Sequence, residues 1–275
     1  MTDHYAVVGN PVAHSVSPAI HAAFARQTGQ DLDYVRVLAP RDGFKAAVLK
    51  FFREGGKGVN VTLPFKHEAW SLATVHDDEA REAGAVNTID FRGGTLTGYN
   101  TDGVGLVTDL EQNLKFPLSD RRILLMGAGG ATYGVMQSLL KTRPERLVVA
   151  NRTPEKAAAL VAHFGKFAAL ARQGVSAQPY GQLGASRFDL VINATSAGLS
   201  GAMPELPSGI FAAGALAYDM VYGKRTPFME FAAAQGATVA GGLGMLVEQA
   251  AAAFFIWRGA RPATAPVIAM LQREG

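Results

Sequence analysis

Short runs of β-branched and apolar residues alternate along the chain with stretches whose apolar positions recur every three or four residues. The first pattern predicts strands at Tyr5–Gly9, Tyr34–Leu38, Gly58–Thr62, Thr88–Phe91, Arg122–Met126, Leu147–Ala150, Asp189–Asn193 and Ala215–Met220. The second predicts helices such as Pro18–Thr28, Phe44–Glu54 and Glu155–Phe164. Their alternation implies crossover units and mainly parallel sheets, hence an α/β architecture. No repeat, low-complexity segment or Pro/Gly/Ser linker interrupts the pattern, so any domain boundary is expected within a helix or tight turn. The last 35 residues read as largely helical, and their Ala-rich face, Ala250–Phe255, needs a partner surface.

Composition narrows the field. A length of 275 residues suits about two domains. Hydrophobic residues at 48% against charged residues at 18% exclude global disorder. The net charge of +3 is scattered without a like-charge run, which gives no support to a nucleic-acid arm. Cysteine is absent, and with it disulfides, thiolate catalysis and Cys-based metal sites. His4, His14, His21, His67, His76 and His163 lack metal spacing, so they read as surface or satisfied residues and no metal is expected. The longest apolar run, Ala250 to Trp257, is far short of the roughly 20 residues of a membrane span. Met1-Thr2-Asp3-His4 lacks the basic and apolar regions of a signal peptide, so a cytoplasmic protein is expected.

The clearest break precedes Arg121. From there an apolar strand runs into Gly127-Ala128-Gly129-Gly130-Ala131 and then a helical pattern, so a nucleotide-binding domain would run from here to near Ala240. The first glycine permits a tight turn, and the second lets the backbone approach a pyrophosphate held by free N–H groups and the helix dipole. An ordinary βα turn is the alternative. Thr132 occupies the third fingerprint position, where a larger residue than Gly or Ala widens the helix–strand spacing. The following strand ends in Asn151-Arg152-Thr153, with Lys156 one turn on and no carboxylate at the tip. A planar guanidinium, a hydroxyl and an ammonium there favour the 2′-phosphate of NADP over the bare ribose of NAD; a solvated loop arginine is the bland reading.

Three polar clusters mark strand ends in the first hundred residues. In Asn10–Pro18, Ser15 and Ser17 lie beside a helix start and suit a carboxylate, while Ser17 before Pro18 also fits an N-cap. In Asn60–Lys66, Pro64 is a natural first helical residue. Lys66 then falls in the first turn, where the dipole disfavours its charge and an acid/base role competes with a solvated surface lysine. The third cluster is Asn87-Thr88 with Asn100-Thr101-Asp102-Gly103. Asp102 either caps a helix running through Leu110 or pairs with Lys66.

Taken in order, these segments closely resemble the NADP-dependent shikimate dehydrogenase family over essentially the whole chain. The matching pieces are Gly9–Pro11, His14-Ser15-x-Ser17-Pro18, Asn60–Lys66, Gly84–Thr88, Asn100–Gly103, Gly127–Ala131, Asn151–Thr153, Asn193-Ala194-Thr195-Ser196, Tyr218–Tyr222 and Gly242–Gln249. The resemblance implies two α/β domains: a substrate domain over 1–101 and a Rossmann-like, doubly wound NADP domain over 102–240. C-terminal helices over 241–275 return to the first domain, and a cleft separates the two. It further implies NADPH-dependent reduction of 3-dehydroshikimate to shikimate in aromatic amino-acid biosynthesis. By that likeness Ser15, Ser17 and Tyr222 hold the substrate carboxylate, and Thr62, Asn87, Asp102 and Gln249 bond the ring hydroxyls. Lys66 is the acid/base, paired with Asp102. For the cofactor, Gly127, Ala128, Gly129, Gly130 and Ala131 hold the pyrophosphate, and Asn151, Arg152, Thr153, Pro154, Glu155 and Lys156 hold the 2′-phosphate end. Met220 and Gly242 flank the nicotinamide, and Asp78 matches a cofactor position for which the residue type offers no physical account. A homodimer is also implied.

Two positions depart from the family pattern. Thr132-Tyr133 stand where Ser-Arg is common, removing a cation near the phosphates, and Gly241 stands in an expected loop where Asp is common. Two other functions share the fold. A quinate/shikimate dehydrogenase, often NAD-dependent, would favour an acidic residue near Arg152. A non-catalytic metabolite sensor would favour loss of Lys66 or Asp102.

Overall fold

The computed structural model describes residues 2–184, 186–195, 197, 202–203 and 205–274. Ser196 of the Asn193–Ser196 motif lies outside them. The chain forms two units, one built from Met1–Gly105 with Leu246–Gly275, the other from Leu106–Met245. The first division therefore falls inside the helix that opens at Asp102, a few residues beyond the expected 101/102. The second falls inside the helix after Gly242.

The first unit holds the strands β1 (Asp3–Gly9), β2 (Leu32–Leu38), β3 (Gly56–Val61), β4 (Val75–His76), β5 (Thr88–Arg92) and β6 (Thr95–Tyr99) in the order β2-β1-β3-β5-β6-β4. The helices are α1 (Ser17–Thr28), α2 (Phe44–Arg53), α3 (Lys66–Leu72) and α4 (Asp78–Ala83), followed by α5, Asp102–Thr108. β1 pairs in parallel with β2 and β3, but β5 and β6 form an antiparallel hairpin beside β3. Its two turn residues, Gly93 and Gly94, both have positive φ, as a hairpin twisted like its strands requires. An expectation of parallel pairing from alternation alone overlooks this turn.

Two further helices close the chain, α9 (Leu243–Arg258) and α10 (Ala265–Glu274). Val247, Ala250, Phe254 and Trp257 of α9 are buried at helical spacing, whereas Phe255 of the same apolar run points out under Arg261. Trp257 stacks on Tyr5 at 4.7 Å and donates to the Ile89 carbonyl at 3.2 Å. Helix α9 thereby completes the β1–β3–β5 face.

His21 is a correction. It is neither exposed nor satisfied: its ring is wholly buried, stacked on Tyr34 at 4.1 Å and 5°, and neither nitrogen has a hydrogen-bond partner among the described residues. Burial pushes its pKa down to about 3, keeping the ring neutral.

The second unit is an all-parallel sheet of β7 (Arg122–Met126), β8 (Arg146–Ala150), β9 (Val175–Gln178), β10 (Phe188–Asn193), β11 (Phe211–Asp219) and β12 (Thr238–Gly241). The order β12-β11-β10-β7-β8-β9 is the doubly wound Rossmann order, with the switch point between β7 and β10. Helices α6 (Gly130–Lys141), α7 (Pro154–His163) and α8 (Pro227–Ala234) connect strands. Gly241 ends β12 opposite Asp219 rather than lying in a loop.

Instead of running regularly through Leu110, α5 passes into a π-turn over Asp109–Asn113. Asp109 is buried there and accepts from the Tyr218 hydroxyl at 2.7 Å. The Asp109 carboxylate also occupies the space a side chain at Gly244 would need. The beginning and end of the second unit are thus joined side by side.

Candidate active site

Pro64, preceded by a cis peptide, lies in the turn before α3. Lys66 is the first helical residue, with Phe65 at the cap position. The Lys66 Nζ donates to Asp102 Oδ2 at 2.5 Å, with the two side chains 21% and 10% exposed. Asp102 opens α5, and the capping interaction falls to Asn100, whose Oδ1 accepts from the Asp102 N–H at 3.1 Å. The Asp102 carboxylate is left for side chains: its second oxygen accepts from Asn87 Nδ2 at 2.9 Å.

The direction of the Asn87 amide is fixed by a group that can only donate. The Thr101 N–H meets Asn87 Oδ1 at 2.9 Å, so the amide nitrogen must face Asp102. Gln249, carried by α9, places its Oε1 3.4 Å from the Thr101 hydroxyl and 3.5 Å from Asn87 Nδ2. Behind Asn87, the Thr88 hydroxyl donates to Asn87 Oδ1 at 3.0 Å and accepts from Asn60 Nδ2 at 3.0 Å. Asn60 Oδ1 accepts from the Tyr34 hydroxyl at 2.7 Å. Burial raises the Tyr34 phenol well above its ordinary range, which keeps it a neutral donor.

The Ser17 side chain also acts on the Tyr34 phenol, so the serine pair lies next to the far end of this chain of contacts. Ser17 is the first residue of α1 and does not cap it. The acceptor near the helix start is Ser15, whose Oγ takes the Ser17 N–H at 3.3 Å and donates to Ser17 Oγ at 3.1 Å. Arg36 holds this loop through the Ser15 carbonyl, at 2.6 and 2.9 Å. Thr62 stands half-buried just past β3. The first unit therefore joins Lys66, Asp102, Asn87 and Gln249 by direct or relayed bonds, with the bonded pair Ser15–Ser17 beside Tyr34. Tyr34, Asn60 and Thr101 belong to the same network and carry no assignment in the sequence reading. Asn60 and Thr101 sit inside the quoted motifs, whereas Tyr34 looks like any strand aromatic.

In the second unit Gly127 directly follows β7 at the switch point with φ 106°, a conformation open to glycine and strained for other residues. Neither α6, capped by Gly129, nor α7, capped by Thr153, has a side chain satisfying its first-turn N–H groups. Ala128, Gly130 and Ala131 surround the first helix start. Asn151, Arg152, Thr153, Pro154, Glu155 and Lys156 surround the second, exposed from Arg152 onward. Two uncapped helix starts beside a switch-point glycine, one of them flanked by Arg152 and Lys156, are a donor set that fits a dinucleotide with a terminal phosphate. Thr132 is buried with its hydroxyl unpartnered among the described residues, and Tyr133 turns onto His163 and Phe164 of the α7 end.

Met220 follows β11, half-buried, and its N–H donates to the Asn193 carbonyl at 3.0 Å. A Cβ on Gly242 would collide with the Met220 carbonyl, so only glycine fits there. Tyr222, 38% exposed, also belongs to the second unit. Asp78, by contrast, belongs to the first unit, exposed in the first turn of α4 and paired with Arg81 at 2.6 Å. Among the described residues no cluster could hold a metal, and no helix is long and apolar enough to cross a membrane.

Comparison with known proteins agrees along the whole chain. Residues 7–89 match the family model of the shikimate dehydrogenase substrate binding domain, 109–200 that of shikimate / quinate 5-dehydrogenase, and 242–272 that of the shikimate 5'-dehydrogenase C-terminal domain. A shikimate dehydrogenase (NADP(+)) of Methylobacillus flagellatus is 56% identical over 98% of this chain and 99% of its own. That of Dechloromonas aromatica is 57% identical over 100% and 99%. The crystal structure of shikimate 5-dehydrogenase from Thermus thermophilus in complex with NADP(H) and shikimate superposes with a TM-score of 0.87, at 35% identity and 99% coverage of both chains.

Proposed function

Since the chain belongs to the shikimate dehydrogenase family, we propose that it catalyses the reversible NADPH-dependent reduction of 3-dehydroshikimate to shikimate. The observation that carries the reading is the Lys66–Asp102 pair at 2.5 Å, held by Asn87 in the unit that matches the substrate-binding model. Reduced nicotinamide, when bound, supplies the hydride. The ketone oxygen becomes an alkoxide as the hydride arrives, and Lys66 Nζ delivers the proton it needs. Asp102 holds that ammonium in place and accepts from a ring hydroxyl. Thr62, Asn87 and Gln249 meet the remaining oxygens, while Ser15, Ser17 and Tyr222 bind the carboxylate. A substrate so rich in hydroxyls is distinguished by directed hydrogen bonds, because a poorer ligand leaves buried groups unpaired.

In the second unit the uncapped start of α6, with Gly127 to Ala131, takes the pyrophosphate. Arg152, Thr153 and Lys156, with their neighbours Asn151, Pro154 and Glu155, take the 2′-phosphate and give the preference for NADP. Met220 and Gly242 border the nicotinamide, and Asp78 is the weakest of the cofactor assignments because Arg81 already occupies its carboxylate. A homodimer in the cytoplasm goes with this reading, and sedimentation velocity tests the dimer.

Lys66→Ala tests the mechanism. Turnover of shikimate with NADP+ is expected to fall about 10²- to 10⁴-fold. The KM for shikimate should change far less, because Ser15, Ser17, Asn87 and Gln249 remain. A folded Lys66→Ala protein with near-normal turnover overturns the acid/base assignment.

A further inference from the structure

Asp219 is wholly buried at the end of β11, where the backbone turns out to present Met220 and Tyr222. Three neutral donors converge on its carboxylate. Asn193 Nδ2 and the Thr226 hydroxyl meet Oδ2 at 3.0 and 2.6 Å, and the Val221 N–H meets Oδ1 at 3.0 Å. They come from three different places: the end of β10, the turn itself, and the cap of α8. Two of the donors are committed elsewhere too. Asn193 Oδ1 accepts from the Thr195 N–H at 3.1 Å and its hydroxyl at 2.7 Å, and Thr226 Oγ1 accepts from the Met229 N–H at 3.3 Å.

The connections extend to both sides. A Cβ at Gly127 would lie 3.2 Å from the Ala194 carbonyl oxygen, so the switch-point turn rests on the loop that Asn193 holds. On the other side, the Val221 carbonyl accepts from the Gly242 N–H at 3.1 Å, and Gly242 lies flat against the Met220 backbone. One carboxylate thus sits between the glycine turn assigned to the pyrophosphate and the Met220 turn assigned to the nicotinamide.

Only a carboxylate satisfies this arrangement. An asparagine in the same place must direct its NH₂ either at the Asn193 amide nitrogen or at the Val221 N–H, so one donor always loses its acceptor. A purely local role, holding the chain two residues on, would need one acceptor oxygen and would leave the convergence of three segments without purpose.

We propose that Asp219 is a positioning residue for hydride transfer, setting the Met220–Tyr222 turn in register with the Gly127 turn so that the nicotinamide ring is held at one depth. The role rests on the dehydrogenase reading above. It separates grip from reach: the adenosine end is gripped at the tip of β8, away from Asp219, so loss of the carboxylate should leave affinity and impair transfer.

The test compares wild type, Asp219→Asn, Thr226→Val and Thr226→Ser. NADP+ affinity is measured by calorimetry, and kcat, KM and the primary isotope effect are measured with NADPH deuterated at the transferred position. Asp219→Asn is expected to bind NADP+ within about 3-fold of wild type while kcat falls about 10- to 100-fold, as displacement of a reacting group by about 1 Å can do. The isotope effect on kcat should rise as transfer becomes limiting. Thr226→Val should show the same pattern more weakly and Thr226→Ser should restore it, and this pair decides the matter if Asp219→Asn does not fold. Unchanged kcat and isotope effect, or a loss of affinity matching the loss of turnover, overturns the positioning role. Absence of shikimate turnover in the wild type overturns both the role and the functional reading beneath it.

Discussion

Replacing His21 by Phe should make the protein less sensitive to acid. Its ring lies among Phe24, Tyr34, Phe254 and Trp257, and burial lowers its pKa to about 3. In the unfolded chain the same group takes a proton near pH 6.5. Between these values the unfolded state holds one proton more than the folded state. The stability associated with the neutral ring is therefore complete above about pH 6.5 and declines by about 1.4 kcal/mol per pH unit below it. At pH 4.5 the loss amounts to roughly 2–3 kcal/mol, a large fraction of the 5–15 kcal/mol typical of folded proteins. Phenylalanine keeps the stack on Tyr34 but has no site to protonate. The assay is a set of urea transitions from pH 8 to 4.5 followed by tryptophan fluorescence, since Trp257 lies 5.5 Å from His21. Carboxylates that titrate in the same range are shared by both proteins and cancel in the difference. A constant offset from the change of ring volume leaves the slope untouched. The difference between variant and wild type should be flat above pH 7 and widen by roughly 2–3 kcal/mol by pH 4.5. Parallel curves would refute the reasoning.

Arg152→Ala should raise the KM for NADP roughly 10- to 150-fold, the equivalent of one charge-assisted contact, and barely alter that for NAD. Equal effects on both cofactors, in steady-state assays, would remove Arg152 from the 2′-phosphate. Ser15→Ala should weaken shikimate binding in calorimetric titrations and leave NADP binding intact. Because Ser15 also accepts the Ser17 N–H, a helix-start loss of about 0.5–2 kcal/mol should accompany it in melting curves. Lower stability with unchanged shikimate affinity would sink the carboxylate assignment.

Legibility in the sequence followed the strength of local constraint. Strands buried on both faces, such as β7 and β10, read as unbroken apolar runs, and the turn after β7 reads from its glycines. The edge strands β9 and β12 and the two-residue β4 are short and half-exposed, so no apolar run marks them. Gly93-Gly94 is a legible hairpin signal, overshadowed by the crossover pattern around it. At Asp102 the residue type alone left cap and ion pair open, because both need an oxygen at a helix start. The choice was made by Asn100, which took the N–H and left the carboxylate for Lys66. The same exchange gave the α1 start to Ser15 rather than Ser17. Aromatic stacking with a buried tyrosine leaves no trace in spacing, so neither the burial of His21 nor the place of Tyr34 in the network is legible in the sequence.

The joint between Asp109, Tyr218 and Gly244 has a consequence for how the chain is made. Residues 106–245 are an insertion, and the first unit cannot cover Tyr5 and Ile89 until Trp257 has been synthesised. Closing an unstructured loop of about 140 residues costs about 4 kcal/mol in lost chain freedom, taking (3/2)RT ln n. The inserted unit is contiguous and complete once the first turn of α9 has emerged. Once it folds, its two ends already stand together at Asp109 and Gly244. The long insertion then acts on the first unit as a short tether, delivering the rest of α9 to a half-built sheet at little entropic expense.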